Sequence, residues 1–134
     1  MTIEEMKTSQ EAIARIIEVG TYGSEWLYTE INEERTPAEV LEKAMQLHDC
    51  GSDRRAYILL HGGTLNFHDG YEEDDDEQGR PHITSITLKE WQAGIDKLGK
   101  ESKRSLAHLI AEIEDYYDAN NALQFVMFGE EIYG

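Results

Sequence analysis

Six consecutive carboxylates, Glu72, Glu73, Asp74, Asp75, Asp76 and Glu77, stand between Tyr71 and the turn residues Gly79 and Pro81 in the stretch YEEDDDEQGRPH. Such a run could coordinate a hard cation, supply acid–base groups or attract a basic partner. A calcium loop of the EF-hand type spaces its oxygen ligands at alternate positions around a glycine in the sixth place and a glutamate in the twelfth. Here Gly70 follows Asp69 at once, so that register fails. The plainer expectation is a solvated, self-repelling loop at about residues 70–80.

The remaining reactive residue types give no assembled set. His61, His68 and His82 flank the acidic run and would converge if a hairpin joined their segments, yet their spacing matches no zinc or nickel pattern. His61-Gly62-Gly63 is like the oxyanion-hole glycines of α/β-hydrolases, but the G-x-S-x-G elbow is missing and Ser24 in YGSEW does not supply it. Cys50 sits beside His48 and Asp49, where neighbours on a helix diverge and a working dyad needs hydrogen-bond reach. No catalytic residue, metal ligand or cofactor is expected, and a small enzyme or metal-binding protein ranks last among the readings.

Bulk composition sets the frame for these residues. The chain has 134 residues, the length of one domain (1–134), with 40% hydrophobic and 9% aromatic residues, enough to fold despite its charge. Asp and Glu number 28 against 12 Lys and Arg, for a net charge of −16, which repels nucleic acid and anionic membranes and attracts basic proteins. A single cysteine, no leader-like N-terminus and no apolar run of spanning length predict a soluble cytoplasmic protein without a disulfide.

The elements that must position these residues read as α+β: a small antiparallel sheet of three to four strands packed against about five helices. The first helix reaches Gly20 along Ile13, Ile16 and Ile17, with capping boxes Thr8/Glu11 and, earlier, Thr2/Glu5. TYGSEWLYTEIN reads as a strand with Trp26 and Tyr28 on one face and Leu27, Thr29 and Ile31 on the other, bulk that predicts a strand covered on two sides or one whose second face meets a partner. TPAEVLEKAMQLHDCG is a helix with Thr36 as N-cap, Pro37 at N1 and Gly51 at its stop. AYILL and TLNFHD read as two strands turning at Gly62-Gly63, and HITSI as a third strand after the acidic segment. A Thr87/Glu90 box opens a helix through Trp91, Ile95 and Leu98 to Gly99. A further helix runs from about Ser102 to Tyr117, and a last one from Asp118 to Gly129. On the penultimate helix Glu112, Asp115 and Asp118 would share one face, with Glu114 beside them, while Lys97, Lys100, Lys103 and Arg104 make a local basic patch that would fold back on these acids or bind a different partner surface. Tyr133, near the C-terminal end of the sequence, must dock to be ordered.

YGSEWLY after an opening helix, together with LQFVMFGEEIYG at the end, resembles a group of small phage- and prophage-encoded proteins, over about 25 residues. The resemblance carries no catalytic or binding residue; it implies a mobile genetic element and a host-cell cytoplasm. In that setting an acidic protein without enzymatic motifs is expected to act by binding. The leading expectation is inhibition of a host defence complex, in the manner of anti-CRISPR or anti-restriction proteins, by occupying a basic, nucleic-acid-binding surface. The partner is then a basic protein or nucleoprotein complex, with no direct contact to nucleic acid or membrane. Glu72 to Glu77 and Glu112, Asp115 and Asp118 are its candidate contacts. The alternative is a non-inhibitory structural or regulatory phage protein, and exposed strand aromatics would favour a homodimer.

Overall fold

The computed structural model describes every residue but Glu73 and Asp75. Among the described residues the chain forms seven helices and a three-stranded antiparallel sheet, the α+β architecture that the sequence pattern predicts. The helices are α1 (Ile3–Thr8), α2 (Gln10–Thr21), α3 (Ala38–Leu47), α4 (Gly51–Leu60), α5 (Leu88–Glu101), α6 (Lys103–Ile110) and α7 (Tyr116–Phe128). The strands are β1 (Leu27–Ile31), β2 (Leu65–Asp69) and β3 (Ile83–Ile86), in the order β1-β2-β3.

Register assigns the two faces of the sheet. Leu27 pairs with Asp69, Thr29 with Phe67, and Leu65 with both Ile31 and Ile86, so Leu27, Leu65, Phe67 and Ile86 drop into the core. The opposite face carries the row Tyr28, His68 and Ile83, one residue from each strand, and is open to solvent. Of the two expectations for β1, cover on both sides does not hold: Tyr28 is exposed, and Trp26 is buried just ahead of the strand.

The core lies where α2 and α7 cross and is continued by α4 and α5. Gly94 of α5 permits the closest approach, because a Cβ there would meet Val126 Cα of α7 at 2.4 Å. Trp91, fully buried one turn earlier, donates its indole N–H to Met6 O at 2.8 Å and ties α1 to α5.

Several predicted boundaries are corrected by capping chemistry. The opening helix is two helices: Thr2 and Glu5 form the capping box of α1, while Ser9, not Thr8, caps α2 by accepting from Ala12 N. Thr36 does not cap α3, because its hydroxyl donates to Asn32 O at 2.7 Å and accepts from Thr64 N at 3.2 Å. Thr87 holds the N-cap position of α5, yet its hydroxyl donates to the Glu90 carboxylate instead of serving the helix amides, and that bond holds Glu90 below the usual carboxylate range.

The largest correction falls on AYILL, which is the end of α4 and not a strand. A short apolar run cannot be assigned by periodicity alone, and the two glycines have another use. Gly62, at φ 94°, follows the cap residue His61, and Gly63 N returns to Ile58 O at 2.8 Å, the bond of a Schellman cap. The true hairpin is β2–β3, and the acidic segment is its connection rather than a sequel to it.

Candidate functional site

Hydrogen bonding divides the nine predicted partner contacts. Glu73 and Asp75 lie outside the described residues. Asp74 and Glu77 are exposed, whereas Glu72 is half-buried. Asp76 folds the loop on itself: its carboxylate accepts from Gln78 N at 2.9 Å and Arg80 N at 2.8 Å and pairs with the Arg80 guanidinium at 2.6 Å.

Glu112, Asp115 and Asp118 do not share a helix face, because α6 ends at Ile110 and α7 begins only at Tyr116. Glu112 sits at the turn with φ 57°, while Glu112 N bonds Leu109 O at 3.1 Å and Ile113 N bonds His108 O at 3.0 Å, a second Schellman cap. The sequence hid this break because glutamate occupies the position where glycine normally marks it. Asp115 is the N-cap of α7 and accepts from Asp118 N at 3.1 Å. Asp118, 2% exposed, completes the box and is removed from any partner's reach. Glu114 is likewise sunk beneath Arg15, whose Nε donates to it.

Asp118 organises a polar cluster between α6 and α7. His108 Nδ1 lies 2.8 Å from its Oδ2, and the Ser105 hydroxyl donates to its Oδ1 at 3.2 Å. An ionised carboxylate only accepts, so Nδ1 carries the hydrogen. Ser105 meets the carboxylate in parallel with His108 and not through it, which differs from the relay of a serine hydrolase, where the imidazole stands between acid and hydroxyl. Asn121 donates to Ser105 Oγ at 3.1 Å and Ser102 Oγ at 2.9 Å, so the cluster is a tie between two helices.

The other histidines are engaged separately. His61 stacks on Tyr57 with ring centres 3.9 Å apart, whereas His68 stacks on Tyr28 at 4.4 Å and bonds Glu30 at 2.7 Å. Among the described residues no three His, Cys, Asp or Glu side chains gather in a way that would hold a metal ion. Cys50 is exposed at the N-cap position of α4. No helix among them is long and apolar enough to cross a membrane.

The most organised surface feature is aromatic, and the tail builds it. Gly129, left-handed at φ 75°, ends α7 and turns the last residues back along the helix. There the buried Gln124 side chain acts as a strand would: Oε1 accepts from Ile132 N at 2.7 Å and Tyr133 N at 2.8 Å, and Nε2 donates to Tyr133 O at 2.8 Å. The Tyr133 ring then lies 4.6 Å from Trp26 and donates its hydroxyl to the buried Asp69 at 2.7 Å. Burial first, then the hydrogen bond and charge of Asp69, raise this phenol above its ordinary value. Trp26 also stacks against Tyr71 and Phe128, each at 6.3 Å. Gly70 N reaches Trp26 O at 2.6 Å, and a Cβ on Gly70 would meet that oxygen at 2.9 Å, so the acidic loop starts pinned to the aromatic cluster.

An open cleft of about 570 Å³ runs along this cluster, lined by Glu25, Trp26, Tyr71, Tyr116, Tyr133 and the glycines and Ile132 beside them. Sequence reasoning found the need for Tyr133 to dock but missed Gln124 and Asp69, its two anchors. The available signals were a glutamine inside the apolar run ALQFVMF and an aspartate closing a strand. The chain matches no protein-family profile, no curated protein and no solved structure.

Proposed function

We propose that this protein acts by binding, presenting carboxylates to a basic protein or nucleoprotein complex and occupying there a surface that would otherwise hold nucleic acid. One observation carries the reading: of the described acidic residues only Asp69, Asp118 and the side chain of Glu114 are buried, so most of the charge of −16 resides at the surface. Ion pairs with Lys7, Arg15 and Arg80 neutralise few of these groups. Proteins that hold nucleic acid present Lys and Arg to a phosphate line, and an unneutralised carboxylate surface competes for the same cations. The finer reading, inhibition of a host defence complex in the manner of an anti-CRISPR or anti-restriction protein, draws its support from the resemblance to phage- and prophage-encoded chains.

Affinity capture from host lysate, at low and high salt and with duplex DNA as competitor, tests this function. The expected result is a nucleic-acid-binding partner released steeply by salt and displaced by DNA. A partner held equally at both salt concentrations and indifferent to DNA would reject it.

A further inference from the structure

Three exposed tyrosines line adjoining grooves on one side of the molecule: Tyr22 is 82%, Tyr71 54% and Tyr116 39% exposed. Tyr116 lines two adjoining grooves, the cleft beside Trp26 and a second of about 300 Å³ formed with Glu18, Val19 and Tyr22. Two of the tyrosines are held in place: the Tyr116 hydroxyl meets Ser24 Oγ at 3.1 Å, and Tyr71 stacks on Trp26 with the rings inclined by 21°. Each groove carries an exposed carboxylate, Glu18 in one and Glu25 in the other, and the residues lining them include no Lys or Arg.

Aromatic faces beside carboxylates suit one side chain above others. The arginine guanidinium is planar and weakly hydrated, so it stacks on a tyrosine while its N–H fork reaches an acid; the lysine ammonium is more strongly hydrated and has no flat face. Nucleic-acid bases also stack on tyrosine, but Glu18, Glu25 and the net charge would repel their phosphates. Charge complementarity therefore selects a cationic protein segment. We infer that the paired grooves about Tyr116 are the docking site for an arginine-bearing segment of the basic partner; this rests on the binding function proposed above and gives it a location.

The test titrates the full chain, labelled with nitrogen-15, with oligoarginine and oligolysine peptides of equal length, reading the two indole signals and the affinity. Arginine is expected to bind more tightly, to move the Trp26 signal and to leave that of the core residue Trp91 in place. Tyr22→Ala and Tyr71→Ala, at exposed positions, are each expected to weaken arginine binding about 3- to 10-fold while leaving its salt dependence unchanged. Asp74→Asn with Glu77→Gln, neither of which lines the grooves, should lower the salt dependence instead. Arginine binding that is indifferent to both tyrosine substitutions and leaves Trp26 unmoved would overturn the docking site while keeping the binding function. Failure of both peptides to bind at low salt would remove both.

Discussion

Asp118 shows how position converts a surface residue type into an internal one. At N3 of α7 its carboxylate answers the backbone of Asp115 and receives Ser105 and His108 from α6, so the charge is neutralised by donors rather than offered outward. Asp118→Ala leaves those donors facing a void and is expected to cost about 2–3 kcal/mol in urea unfolding; Asp118→Asn, which keeps an acceptor, should cost less. Tyr133 is the tail's counterpart. A phenol whose value is raised in the folded state adds its full stabilisation below the unfolded value of about 10 and loses it as the pH climbs toward the folded one. Thermal melts should therefore fall above about pH 10, and Tyr133→Phe should flatten that fall. An equally steep alkaline limb in the variant would show that the Asp69 bond does not control the tail.

Among the elements, the junction between α6 and α7 is where pattern and fold part most clearly. Leu106, Leu109, Ile110 and Ile113 keep a helical spacing straight through the break, and Glu112 gives no warning of it. A residue with a Cβ in the left-handed region carries strain that glycine avoids. Glu112→Gly is thus expected to stabilise the chain by about 0.5–1 kcal/mol in denaturant titration, after allowing for its exposed contacts to Arg15 and the terminal amine. A loss of stability would mean that those ion pairs outweigh the strain. The Gly62-Gly63 cap teaches the same lesson in reverse: glycines that could turn a hairpin end a helix instead, because the left-handed conformation serves both.

For the whole molecule, charge sets the behaviour. Carboxylates outnumber their cationic partners and face solvent on α1, α2, α3 and α5 and on the connections between elements, so the folded chain repels itself more than the expanded one does. Raising the ionic strength from low to physiological is expected to increase the melting temperature by about 2–5 °C, since screening then acts over roughly 8 Å. A melting temperature that falls with added salt would indicate that the ion pairs of Arg15, Lys7 and Arg80 dominate, contrary to the surface proposed for the partner.

Composition and local pattern by themselves determined the α+β class, the Thr2 and Gly129 ends of their helices, the β3 strand and the acidity that limits what this surface can meet. These depend on periodicity, capping and net charge, which act over a few residues or on the sum of all. Tertiary structure alone decided that Asp118 and Glu114 face inward, that AYILL winds as a helix and that Gln124 and Asp69 seat Tyr133 against Trp26. The most distant of these contacts join residues 64 positions apart for Tyr133 and Asp69 and 99 for Arg15 and Glu114, and a local pattern holds no record of such a neighbour.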